Sequence, residues 1–380
     1  MLSLSNEHKI FQKTVKDFID KEIRPHVVDW EVEGRTPRTI WKKMGELGFL
    51  GLNYSEKYGG MNVDHTYTAI LHQEMGKCGS WGVALGICVQ TDMATPALAK
   101  HGNDFLKETF LVPAIRGDMI CAIAVTEPDH GSDVAAIETK AVKQGNKWII
   151  NGRKTFITNG IQADFVTALV RTNDRPGYMG LSLFIVPTNL PGFSRGNPLK
   201  KTCYLSSDTA EIVFENVEVG ENHIIGAEGK GFIYQMEQFQ IERLGACLLS
   251  LGGMNRMYEL TKQYAFERKA FGKTLMSLQT VRHKLAQMIA EIKLIENSVG
   301  ACVTALNSGV DITKDVSMLK LICAQIQQKL AEECVQIHGG WGLMQEYEIA
   351  RYFRDSKLLG IGGGTNEIMK EIICKMEGLE

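Results

Sequence analysis

Glu242 is the first residue placed for chemistry. It sits in Phe239-Gln-Ile-Glu242-Arg243-Leu244-Gly245-Ala246, where helical spacing gathers Phe239, Glu242, Ala246, Leu249 and Gly253 on one face. A carboxylate on an apolar face is costly unless it has a partner or a task. Desolvation there raises its pKa and makes it a better base. Gly245 and Ala246 leave space beside it for a ligand. The plainer alternative is a surface pair of Glu242 with Arg243, although adjacent helical residues point in different directions.

Five further segments carry groups suited to a polar ligand. Ala124-Val-Thr-Glu-Pro-Asp-His-Gly-Ser-Asp-Val134 leaves a strand for a loop of hydroxyls, acids and backbone N–H groups. In Trp148-Ile-Ile-Asn-Gly-Arg-Lys-Thr-Phe-Ile-Thr-Asn-Gly160, Phe156 can wall a flat ring and Thr158 can bond its edge. Arg268-Lys-Ala-Phe-Gly272, with Gln279 beyond, offers a guanidinium for phosphate. Gln336-Ile-His-Gly-Gly-Trp-Gly342 is a glycine-rich break between helices. Gly362-Gly363-Gly364-Thr365-Asn366-Glu367 leads into a helix, whose N-terminal N–H groups favour anionic or carbonyl oxygen. The first four each have a structural alternative, respectively a strand exit, a plain hairpin, a basic helix end with a Gly stop and a flexible turn.

The elements that must position these groups read as α, then β, then α. Helical periodicity with short breaks runs through 1–118, as in Thr39 to Leu47 and Thr66 to Lys77. Short apolar runs mark 119–227 as strands: Ile120 to Val125, Trp148 to Ile150, Phe165 to Val170, Leu181 to Val186 and Glu211 to Phe214. Their regular spacing predicts a compact antiparallel, barrel-like β domain. Longer helices fill 228–380: Gly231 to Arg268, Leu278 to Ser308, Lys314 to His338 and Gly364 to Met376, a four-helix bundle. The fold class is α+β in α-β-α order.

Composition narrows the function class. The 380 residues carry a formal net charge of −2, without the basic surface that nucleic acid requires. No apolar stretch reaches the roughly 18–20 residues that span a bilayer. The N-terminal stretch is amphipathic, with acids among its bases, unlike a signal or transit peptide. Nine scattered cysteines without a CxxC read as reduced core residues, so a cytoplasmic location is expected and no metal.

Taken together and in this order, the TEPDHGSD, FITNG, RKAFG, QIHGGWG and GGGTNEI segments resemble the acyl-CoA dehydrogenase family, over essentially the whole chain. The resemblance implies FAD, an acyl-CoA substrate, an electron-transferring flavoprotein as electron acceptor, and a homotetramer. It implies that Val125, Thr126, Phe156 and Thr158 meet the isoalloxazine ring, and that Ser132 binds flavin phosphate and CoA. Arg268, Phe271 and Gln279 would reach the FAD of a neighbouring subunit, Gln336, Gly339 and Gly340 its adenine side, and Thr365 and Glu367 would close the site. Many members carry their base in a Tyr-Glu-Gly triplet, where this chain has Gly362-Gly363-Gly364. Isovaleryl and long-chain members carry it in a middle helix, in a context matched by Glu242-Arg243-Leu244. The resemblance therefore makes Glu242 the base, the Gly363 N–H an oxyanion donor, and Arg243 a neighbour of CoA.

The helix Gly82 to Lys100 is expected to line the acyl pocket, and Asp92 within it departs from relatives. Either Thr91, Asp92 or Thr95 caps the helix turn that holds Pro96, or Asp92 enters the pocket, binding a polar group or acting as an additional base. The second option fits a dehydrogenase of cyclic substrates such as cyclohexene-carboxyl-CoA. An enoyl-CoA reductase running in reverse is a further option, as is a non-catalytic scaffold that keeps the fold. An oxidase is less consistent, because a large extra C-terminal domain would exceed 380 residues.

Overall fold

The computed structural model describes residue 2 and residues 4–379. The first block is helical: α1 (Asn6–Phe18), α2 (Val27–Glu33), α3 (Arg38–Glu46), α4 (His65–Gly76), α5 (Trp81–Cys88), α6 (Pro96–His101), α7 (Asp104–Leu106) and α8 (Val112–Ile115). Local chemistry sets the ends. Asp64 caps α4 by accepting from the Thr66 N–H at 2.7 Å, and Gly34 ends α2 at a positive φ of 72°. The expected continuous helix from Gly82 to Lys100 is broken. α5 stops at Cys88, Val89–Ala94 forms a wide π-type turn, and Pro96 opens α6.

The middle block contains β1 (Cys121–Ala124), β2 (Lys140–Gln144), β3 (Lys147–Thr158), β4 (Phe165–Arg171), β5 (Leu181–Pro187), β6 (Phe193–Arg195), β7 (Thr209–Gly220) and β8 (Ile224–Ile225). These do not form the expected antiparallel barrel. They form an open eight-stranded sheet in the order β6-β7-β3-β2-β4-β5-β8, with β1 beside β4. The sheet is mixed, because β1 and β2 each run parallel to β4. Alternation in the sequence reports which side chains face inward, but parallel pairing is set by long crossovers that leave no local signature. Apolar side chains from the sheet pack into two clusters, one shared with the α6–α8 region and one built around Trp148, Phe184 and Phe214.

The last block is α9 (Gly231–Glu267), a small hairpin of β9 (Lys269–Ala270) and β10 (Lys273–Thr274), α10 (Gln279–Asn307), α11 (Thr313–His338), α12 (Glu348–Asp355) and α13 (Asn366–Glu377). The long helices sit within a residue or two of their expected bounds; α12 was not expected. α9 is the axis of the molecule. Most of its buried apolar side chains join the C-terminal core, yet Leu249 joins the N-terminal one. Glycines let α4 and α9 cross almost backbone to backbone. A β-carbon on Gly76 would lie 2.1 Å from the Leu249 carbonyl oxygen, and one on Gly252 2.0 Å from that of Gln73.

Candidate active site

The α4–α9 crossing brings chemistry from three elements onto one face of α9. Glu242 is only 7% exposed. Burial lifts its carboxyl to about 7, against the opposing pull of Arg243 and Lys320 and with some help from Asp92. One turn along, Gly245 faces a polar cluster: a β-carbon there would lie 3.3 Å from Cys88 Sγ, 3.6 Å from His72 Nε2 and 3.7 Å from Asp92 Cγ. Asp92 is buried and shares hydrogen bonds with His72 Nε2 at 2.7 Å and the Thr91 hydroxyl at 2.5 Å. The helix-capping reading of Asp92 is thereby corrected. Thr95 occupies the position before Pro96, and its hydroxyl bonds the Gln90 carbonyl instead of capping α6. The π-type turn widens the helix there and turns Asp92 inward.

Gly363 lies against Glu242. A β-carbon on Gly363 would come 3.1 Å from Glu242 Oε1, so the two positions face each other across one small space. Gly363 adopts a positive φ of 64° and Gly364 one of 95°. Arg243 is also buried, and its Nε donates to the Gly363 carbonyl at 3.3 Å. The surface-pair reading of Glu242 and Arg243 does not hold, since both side chains turn inward. Thr365 spends its hydroxyl as the cap of α13, accepting from the Ile368 N–H at 3.3 Å. Glu367 stands exposed in the first turn of that helix.

A second group forms where β1 ends beside β3. The Thr155 N–H donates to the Thr126 carbonyl at 2.9 Å, which ties the two segments together. β3 loses register with β7 between Lys154 and Ile157, and Phe156 in that bulge has a positive φ of 59° and is 70% exposed. Bulges of this kind re-aim side chains. Here an aromatic face stands out beside the half-buried Val125, Thr126 and Thr158, whereas Ser132 is exposed in its loop. Nothing in the sequence singled out the pair beneath them. Lys154 is fully buried and donates to the Val125 carbonyl at 2.8 Å and to Glu127 Oε1 at 2.9 Å. Glu127 also accepts from the Glu138 and Thr139 N–H groups. Burial pushes the Glu127 carboxyl up, but Lys154 and these donors outweigh it and hold it below its usual value.

Lys154→Met should leave Glu127 buried without its cation, at a cost of about 3–5 kcal/mol. The expected result is a clearly lower Tm and purified protein with reduced flavin content. Wild-type melting and full flavin loading would show the pair to be dispensable.

The third group lies at the far end of α9. Arg268, Phe271 and Gln279 are exposed around the β9–β10 hairpin, and Phe271 is 96% exposed at a positive φ of 53°. Gln336, Gly339 and Gly340 are exposed at the end of α11. Tyr264 joins the two ends, stacking on His338 and donating to its carbonyl at 3.2 Å.

Three family models cover almost the whole chain. They are the acyl-CoA dehydrogenase N-terminal domain over residues 5–118, the middle domain over 122–217 and the C-terminal domain over 229–377. The chain belongs to the acyl-CoA dehydrogenase family. This enzyme is 39% identical to the mouse mitochondrial long-chain specific acyl-CoA dehydrogenase over 98% of its own length and 86% of the relative's. It is 32% identical to the rice mitochondrial isovaleryl-CoA dehydrogenase, covering 96% and 89% of the two chains. A crystal structure of an acyl-CoA dehydrogenase from Geobacillus kaustophilus superposes with a TM-score of 0.96 at 42% identity, covering 98% of each chain. The enzyme is thus a flavin-type oxidoreductase of acyl-CoA metabolism, and FAD is its cofactor. Its residues fit that cofactor on their own evidence. An exposed phenyl ring held at positive φ stands beside two half-exposed threonines, an arrangement suited to one face and one edge of a flat polar ring. No helix among the described residues is long and apolar enough to cross a membrane.

Proposed function

We propose that the enzyme desaturates an acyl-CoA thioester to a 2-enoyl-CoA, with Glu242 as the base for the α-proton. The observation that carries this reading is the placement of a buried carboxyl, raised to about 7, directly against the Gly363 turn. A carboxylate of ordinary strength takes a proton from carbon poorly, and desolvation narrows that gap. The Gly363 N–H has no acceptor among the described residues, and it is free to donate to the thioester oxygen as negative charge gathers there. Arg243 holds the carbonyl of that same glycine and lies towards the CoA portion.

FAD, when bound, supplies the acceptor for the β-hydride. Val125, Thr126, Phe156 and Thr158 would hold its ring, and Ser132 a phosphate. Thr365 and Glu367 close the site. Arg268, Phe271, Gln279, Gln336, Gly339 and Gly340 serve an adjoining subunit in a homotetramer. A phenyl ring left 96% exposed in a strained backbone supports that reading, because both costs are recovered only against a partner. The electron acceptor is an electron-transferring flavoprotein.

The test is anaerobic mixing with straight, branched and cyclic acyl-CoA thioesters, each also deuterated at the α-carbon. The expected result is flavin bleaching with a primary isotope effect for at least one of them. A purified protein that cannot be loaded with FAD would leave the scaffold reading standing.

The buried Asp92 favours a second reading, in which the acyl group is cyclic and Asp92 is an additional base. Asp92→Asn should then lose several orders of magnitude on a cyclic thioester and change little on a straight one. In either case the removal of this anion should move the acid limb of the bleaching rate to lower pH, since Asp92 raises the Glu242 pKa. An unchanged rate on cyclic thioesters would remove the second reading.

A further inference from the structure

Lys320 has entered so far only through its pull on the Glu242 carboxyl, yet it is among the most completely buried large side chains of the protein, at 1% exposure. A buried ammonium is costly unless its three donors are used. Lys320 extends from the first half of α11, and Nζ donates to the Leu359 carbonyl at 2.8 Å and to the Gly364 carbonyl at 2.6 Å. These two carbonyls bracket the glycine turn. Arg243 holds the carbonyl between them, that of Gly363.

Three glycines in a row leave peptide planes that rotate at little cost. In such a turn the direction of one N–H is decided by what holds the neighbouring carbonyls. The geometry of Gly363 shows how close this control is. A β-carbon there would lie 3.6 Å from Lys320 Cε and 3.1 Å from Glu242 Oε1, so the lysine and the glutamate flank the same Cα from two helices.

We propose that Lys320 is a positioning residue for the reaction, its ammonium locking the Leu359–Gly364 turn so that the Gly363 N–H keeps one direction towards the thioester oxygen. This rests on the reading of Glu242 as base and Gly363 as donor. The same cation opposes the rise in the Glu242 carboxyl, alongside Arg243 from α9 and against Asp92 from the π-type turn. The groups facing Lys320 itself are Glu242, Arg243 and Cys247 on α9 and Cys323 on its own helix.

The test compares Lys320→Met and Lys320→Arg in the FAD-loaded enzyme with three readouts. The first is the carbonyl stretch of a 2-enoyl-CoA product labelled with ¹³C at the thioester carbon, which drops when the carbonyl is polarised. Lys320→Met should lose much of that downshift. The second is the pH profile of flavin bleaching. Loss of the cation should move its acid limb to higher pH, with Lys320→Arg keeping the limb near its original place because the charge remains. The third is the bleaching rate at saturating substrate, expected to fall about tenfold in Lys320→Met, less than the 10²–10³ typical of removing an oxyanion donor outright. If Lys320→Met does not fold, Lys320→Arg decides alone: its longer, planar head cannot reach both carbonyls as a point donor, so the carbonyl downshift should shrink with the limb unmoved. A wild-type downshift in a folded Lys320→Met, or in Lys320→Arg if only that folds, would overturn the proposal. A Glu242→Gln control separates the two readings. If that variant bleaches at the wild-type rate while Lys320→Met loses the downshift, the base assignment fails and the hold on the turn stands.

Discussion

Glu242→Gln should reduce anaerobic flavin bleaching by about 10⁴-fold, the upper range for loss of a general base. The amide keeps the shape of the side chain and removes only its capacity to take a proton. The wild-type rate should itself rise with pH through about 7 and level off above, because the carboxyl must be ionised to act. Stability moves the opposite way. The folded-state pKa lies above the unfolded value near 4.5, so the unfolded chain loses its proton first as pH rises. This one group therefore contributes most to stability below about pH 4.5 and loses that contribution by about pH 7, a change of about 3 kcal/mol. At pH 8 the neutral glutamine should consequently melt no lower than wild type, and higher if nothing else changes. That result would show that the lost rate is not lost fold. A variant that bleaches at the wild-type rate would end the assignment of Glu242 as base.

Gly363→Ala carries the second large effect. The added β-carbon would sit 3.1 Å from Glu242 Oε1, so the carboxylate must give way by a few tenths of an ångström. It also places a side chain at φ 64°, which costs a non-glycine residue roughly 1–2 kcal/mol. Both penalties relax in the same way, by rotating the turn, and rotation re-aims the one N–H proposed to meet the thioester oxygen. A fall of about 10²-fold in bleaching rate is expected, with a small drop in Tm. A Gly363→Ala variant with an unchanged rate and an unchanged carbonyl stretch in bound product would remove this glycine from the reaction.

Much of the site was legible along the chain because it is built from local signals. Glu242 with Gly245 and Ala246, the triple glycine, and the aromatic in FITNG are each readable from residue type and short spacing. The long helices are legible for the same reason, since an apolar stripe sustained over many turns has one period. The sheet was legible only as strands. Which strand lies beside β4, and in which direction, depends on segments more than 40 residues apart, as with Cys121 and Phe165.

Asp92 marks the boundary between the two kinds of information. Its neighbour Pro96 suggested a helix cap, which is the locally cheapest use of an aspartate. Burial against His72 from another helix and a widened turn gave it a different place. Lys154 and Lys320 were invisible for a related reason: a lysine in a strand or helix reads as solvent-facing, and only the packed structure shows which carbonyls surround its ammonium. The sequence by itself picked out Glu242 as the candidate base, the glycines beside it and the order of helices and strands, because those follow from residue type, short motifs and period. Tertiary structure alone decided what faces what across the site, because a glycine-mediated helix crossing and a mixed sheet join residues that no local pattern connects.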